Sequence, residues 1–227
     1  MTDVVVSPHL DDAVLSCTGR LLDGDVMVVT ICAGLPAAGS ALSDWDIASG
    51  ATDARGRAIE RIAEDDAALA SLGVPTRRLD ELGQHYRGAP YDVDRVAEQL
   101  VPLLTGADAV WVAAGMGGHG AHIGTRDATL RAAVAAGVRR VLLYADLPYA
   151  FSFDWPDSVD GLLVELARVG VDPSRLVAQP RRLTALERDR KRAALACYRS
   201  QHHVLNVDPT GRFDNAGGDE WELAWLC

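Results

Sequence analysis

Short, unbroken apolar runs alternate along this chain with longer stretches in which apolar residues recur every three or four positions. Val4-Val5-Val6 is the first run, and Ser7-Pro8 ends it. A run without polar alternation predicts a strand covered on both faces, as in a parallel sheet. Residues 11–22 predict a helix, with Ala13, Val14, Cys17 and Leu21 at helical spacing and Asp23-Gly24 as the stop. Residues 26–31 (VMVVTI) predict a second buried strand. Strand, helix and strand in that order predict a right-handed crossover.

The same alternation continues. Helices are predicted over 53–72, closed by Gly73, and over 93–104. A strand over 109–114 (AVWVAA) runs into the turn Gly115-Met116-Gly117-Gly118, followed by a helix over 125–136 and a strand over 141–144 (VLLY). The last third is less regular, with a helix over 158–169, a strand over 175–179 and a helix over 184–200. Thr184 and Glu187 in that last helix have capping-box spacing. Residues 34–52 interrupt the pattern with Gly, Ala and Ser around Trp45. A loop of that length predicts a lid or a binding segment. Trp45 is open to two readings, a platform for a sugar ring or an anchor for the loop. No repeat or linker divides the chain, so one domain is expected over residues 1–227. The expected fold is α/β, with a mostly parallel sheet whose ligands bind beyond the carboxyl ends of the strands.

Composition narrows the partners. At 227 residues, 48% hydrophobic and 24% charged, the chain can bury a core without staples. A net charge of −10 argues against nucleic acid and anionic membranes, which bind Lys and Arg, and favours a small neutral or cationic substrate. Cys17 and Cys32 lie in apolar runs, Cys197 and Cys227 are distant, and no pair has C-x-x-C spacing. Reduced, buried thiols are expected, which suits a cytoplasmic protein. Met1-Thr2-Asp3 lacks a signal-peptide pattern, and no apolar run reaches the roughly 20 residues of a membrane span.

Two predicted strand ends carry chemistry. The first is Ser7-Pro8-His9-Leu10-Asp11-Asp12, and the second is Gly118-His119-Gly120-Ala121-His122. Taken alone, Asp11 and Asp12 also fit helix-start charges favoured by the dipole, and the histidines fit solvated loops. Taken together, His9, Asp12 and His122 supply two imidazoles and a carboxylate, a set that holds Zn²⁺ and leaves one position open. Asp11 is surplus to that set and is placed to take a proton from the activated water. The glycine turn at 115–118 lacks the fingerprints of a nucleotide loop. His85 and the pair His202-His203 read as surface residues, the pair at a helix C-terminus.

The segment from Ser7 to Asp12 resembles the N-terminal signature of the PIG-L/LmbE-like N-acetylglucosaminyl deacetylases, and the second segment resembles that family's H-x-D-H motif. Further matches follow in order: Arg61-x-x-Glu64 with Leu72-Gly73, a loop over 80–87 ending Tyr-Arg, the YADLPY stretch over 144–149, and a late helix ending Tyr-x-Ser-Gln at Gln201. The resemblance implies a Rossmann-like three-layer sandwich and one zinc on His9, Asp12 and His122. It implies Asp11 as general base and His119 as the histidine that stabilises the oxyanion or protonates the leaving amine. It places Arg61 and Asp80 near the substrate, an N-acylated amino sugar or related glycoside. Leu10 stands where the family has Pro, Ala13 where Glu is common, and Ala121 where the motif has Asp. His119 thereby lacks its expected carboxylate, for which Asp127 is a candidate replacement. Two other function classes remain: a binding protein that kept the fold, and a Rossmann-type nucleotide-dependent enzyme.

Overall fold

A computed structural model of the protein describes residues 2–205 and 220–227. The first strand, β1 (Asp3–Ser7), pairs in parallel with β2 (Val26–Thr30) on one side and β4 (Val110–Ala113) on the other. Beyond β2 lies β3 (Thr76–Arg78), and beyond β4 lies β5 (Val141–Tyr144), both parallel to their neighbours. Two antiparallel strands complete that edge, giving the order β3-β2-β1-β4-β5-β7-β6, with β6 at Val177–Arg182 and β7 at Trp221–Leu226. The fold is α/β with a mostly parallel sheet.

Successive residues of β1 face opposite layers, which is why all three valines are buried. Val4 and Val6 join one core with Leu100 and Leu104 of α4 (Val93–Leu104), Ala128 and Ala132 of α5 (Gly120–Ala135), and Leu162 of α6 (Asp160–Arg168). Val5 joins the other, with Val14 and Leu21 of α1 (Asp12–Leu22), Leu69 of α3 (Ala54–Leu72) and Ala194 of α7 (Ala185–Leu195). The sheet is therefore sandwiched between two helical layers. Each fully buried aliphatic side chain contributes about 1.5–3 kcal/mol, so the β1 run alone is a substantial part of the core.

Several boundaries differ from the pattern reading. The 34–52 segment contains a short helix, α2 (Asp44–Ala48), started by a full capping box between Ser43 and Asp46. Helix α5 begins at Gly120, not near 125, so His122 lies in a first helical turn and not in a loop. The predicted helix over 184–200 is two helices, α7 and α8 (Arg199–Leu205). Positions 202 and 203 are thus within α8, and their side chains lie outside the described residues. Strands β3 and β7 were not part of the pattern reading: β3 is polar and only three residues long.

The order in which the parallel strands are added reverses between β1 and β4. β1 leads outward to β2 and β3, whereas β4 leads to β5 on the other side. This is the switch point at which an open parallel sheet leaves a crevice, and both chemically loaded segments leave from it.

Candidate active site

The turn after β1 is folded by its own side chains. Ser7 Oγ donates to the His9 carbonyl (2.6 Å) and accepts from the Ala13 N–H (3.1 Å). Asp12 Oδ2 accepts the His9 N–H at 2.8 Å. Asp11 occupies the N-cap of α1 yet makes no capping hydrogen bond. Its Oδ2 instead faces Arg61 Nη2 at 3.3 Å. The helix-cap reading of Asp11 therefore fails, and its carboxylate is directed to the cleft.

The turn after β4 begins with a 3-10 segment (Met116–Gly118) and leads into α5 with His119 as N-cap. His119 Nδ1 accepts the Ala121 N–H at 3.3 Å. The glycine turn has no free amides for a phosphate. Gly115 and Met116 donate to Asp146, Gly117 donates to Glu165, and Gly118 donates to the Gly115 carbonyl. Gly117, with φ +75°, also lies under Tyr149, whose ring would be 2.7 Å from an added Cβ. Close packing, and not nucleotide binding, accounts for that glycine.

Three donor atoms meet between the two turns. His9 Nδ1 is 3.2 Å from Asp12 Oδ2 and 3.2 Å from His122 Nε2, and His122 Nε2 is 3.5 Å from Asp12 Oδ2. A tetrahedral ion with bonds of about 2.0–2.1 Å separates its ligands by about 3.3–3.4 Å, so this triangle has the size of a zinc coordination face. His9, His119 and His122 also each offer a nitrogen within 4.8 Å of one another, a group that could hold a metal ion.

Packing the groups together shifts their protonation. Burial disfavours the charged form of Asp12, but His122 and the hydrogen bonds from His9 outweigh it and hold the carboxyl well below its usual range. Burial likewise opposes charge on His122, yet Asp12 and Asp146 raise it to about 9. Burial raises Asp11, partly offset by Arg61. Burial and the neighbouring His9 and His122 push His119 down to about 3, so its ring is neutral at ordinary pH.

The cleft encloses some 780 Å³, its open mouth included. His9, Asp11, Asp12, Arg61, His119 and His122 all line it. Asp80 does not: its backbone bridges Cys32 and its side chain is exposed, so the structure leaves this predicted substrate residue outside the lining. Asp127 pairs with Arg126, and the carboxylate that reaches a site histidine is Asp146, 2.6 Å from His122 Nδ1. Trp45 lines the wall and also anchors its loop, donating from Nε1 to Gln201 Oε1 at 2.5 Å. His85 is an exposed rim residue. The sequence reading missed Tyr86, Asp46 and Tyr149 as lining residues. The Ser43-x-x-Asp46 spacing was the available signal for the α2 turn. Tyr86 hydrogen-bonds Asp46, tying that helix to the facing loop.

A protein-family model described as GlcNAc-PI de-N-acetylase, PIG-L, matches residues 4–133. Among solved structures, the zinc-inhibited form of the teicoplanin deacetylase Orf2 is 27% identical, covers 100% of this chain and 97% of its own, and superposes with a TM-score of 0.77. The A40926 pseudoaglycone deacetylase Dbv21 is 29% identical with the same coverage and the same TM-score of 0.77. The N,N'-diacetylchitobiose deacetylase from Pyrococcus horikoshii shares the fold at 18% identity, with 100% and 83% of the two chains covered and a TM-score of 0.62. No curated protein matches.

Proposed function

The chain belongs to the GlcNAc-PI de-N-acetylase (PIG-L) family, and from that premise we propose that it is a zinc enzyme whose ligands are His9, Asp12 and His122. It hydrolyses the N-acyl bond, in particular N-acetyl, of an amino sugar or related glycoside. The observation that carries this reading is the 3.2–3.5 Å donor triangle standing beside an uncapped carboxylate, Asp11. Zinc, when bound, supplies a Lewis acid for the acyl carbonyl and lowers the pKa of water.

The chain's own groups divide the remaining work. Asp11 takes the proton of the attacking water, and Arg61 orients that carboxylate from 3.3 Å. Arg61 lines the cleft with a side chain 21% exposed, and a guanidinium has five N–H donors, so those not facing Asp11 suit substrate oxygens. His119 receives a hydrogen bond at Nδ1, so its neutral ring carries the proton on Nε2 and donates it to the developing oxyanion. The products are a free amine and a carboxylate. A glycoside substrate is supported by the relatives, which are deacetylases of teicoplanin and of the A40926 pseudoaglycone. One continuous sheet with a core on each face supports a single domain over residues 1–227. Four free cysteines support a reducing compartment such as the cytoplasm. No described helix is long and apolar enough to cross a membrane.

Elemental analysis of the purified protein tests the metal assignment. About one zinc per chain is expected, because the described residues offer this one proposed three-ligand set, and His122→Ala should lose most of it. Amine release by a preparation that carries no metal would overturn the proposal.

A further inference from the structure

Behind the cleft stands a buried carboxylate in the YADLPY stretch, to which the family resemblance assigns no role. Asp146 follows β5 and is 1% exposed. Its Oδ1 stands 2.6 Å from His122 Nδ1, and both side chains are almost wholly enclosed. Its Oδ2 accepts the N–H groups of Gly115 and Met116 at 2.9 and 3.1 Å. The two oxygens therefore serve two elements at once, the start of α5 and the turn that follows β4.

This arrangement decides which nitrogen of His122 is free. An ionised carboxylate only accepts, so His122 Nδ1 bears the hydrogen and the lone pair of the neutral ring lies on Nε2. Nε2 is the atom that stands 3.2 Å from His9 Nδ1 and 3.5 Å from Asp12 Oδ2. Position 121, where the motif has Asp, carries a fully buried Ala packed into the core cluster that includes α4. We infer that Asp146 is a positioning residue of this site: it fixes the tautomer and ring plane of His122 for the metal. The inference rests on the metal reading above.

Asp146→Asn separates this role from a structural one. The Asn carbonyl can keep both backbone amides of the turn, which leaves its NH₂ group against His122 Nδ1. The ring must then accept at Nδ1 and carry its hydrogen on Nε2, where the metal would bind. The reverse orientation of the amide sets its NH₂ against two N–H donors. Zinc affinity is to be measured by competition with a chromophoric chelator, and the thermal melt of the metal-free protein recorded alongside. The expected result is a loss of zinc affinity of about 10- to 100-fold, the usual effect of removing the partner of a metal-bound histidine, with the metal-free melt close to the parent's. An Asn variant that binds zinc within about threefold of the parent, against that 10- to 100-fold expectation, overturns the assignment while leaving the metal reading intact. A metal-free melt that falls in step with affinity also overturns it, since Asp146 would then act only as a staple of the turn. A parent protein that binds no zinc removes the metal reading and this assignment together.

Discussion

Asp11 and His119 flank the same donor triangle but differ in what they can do. Asp11 is a buried carboxylate with Arg61 as its ionic partner, whereas His119 is held neutral and has no carboxylate partner among the described residues. Asp11→Asn should keep bound zinc and lower kcat by on the order of 10²–10⁴-fold, the worth of a general base. His119→Ala should cost less, at most about 10²-fold, the low end for a lost oxyanion donor. Steady-state kinetics with metal content measured on the same samples check both. Loss of zinc from the Asp11 variant would make that residue a ligand and reverse the roles. His9, Asp11, Asp12 and His122 were legible because each falls in a short segment that groups several ligand-type residues after a buried strand. Asp146 was not singled out, although it stands two residues after β5 in the YADLPY stretch, because it is a lone acid there and its partner is 24 residues away. Asp80 misled because the likeness of its loop to a motif says nothing about which way its side chain points.

At the level of elements, the 34–52 segment is better anchored than its composition suggests. Ser43 and Asp46 cap α2 reciprocally, Tyr86 hydrogen-bonds Asp46, and Trp45 bonds to the fully buried Gln201. The late Tyr-x-Ser-Gln stretch gains a physical meaning here. Tyr198 donates to Asp65, Ser200 donates to Glu64, and Gln201 receives Trp45, so α8 links α3 to the cleft wall. Ser43→Ala removes a cap worth about 1 kcal/mol, so amide exchange within α2 should quicken roughly fivefold at that cost. Saturating substrate should slow the same amides. Exchange unchanged in both experiments would make α2 an ordinary surface turn. Uninterrupted helical spacing hid the break between α7 and α8. The first turn of α5 was hidden by Gly120 and Gly124, which sequence reads as loop. Packing demands the second: a Cβ added at Gly124 would lie 2.6 Å from the Tyr91 ring.

Across the whole molecule, one buried ion pair joins the late elements to the early ones. Lys191 on α7 is fully buried and reaches Glu222 on β7 at 2.8 Å, while the other oxygen of Glu222 accepts the Gly19 N–H of α1 at 2.9 Å. Removing one partner strands a buried charge, so Lys191→Ala should destabilise by about 3–5 kcal/mol. At roughly 2–4 °C per kcal/mol for a chain of this size, the melting temperature should fall by on the order of 10 °C. A shift of a degree or two would mean that water reaches Glu222 and the pair does not hold this edge together. Four of the five parallel strands were legible because buried apolar runs declare themselves, and β3, polar and three residues long, was not. At the antiparallel edge the strand expected over 175–179 overlaps β6, whereas β7 was missed because Glu222 interrupts its apolar residues. A metal-dependent N-deacylating site at the β1–β4 switch point must lose its activity with its metal. The most direct measurement is primary-amine release from N-acetylated amino sugars by one preparation, first treated with chelator and then given one equivalent of zinc. Chelation should abolish release and zinc should restore it; release that persists undiminished in the metal-free protein would rule out a metal-dependent site.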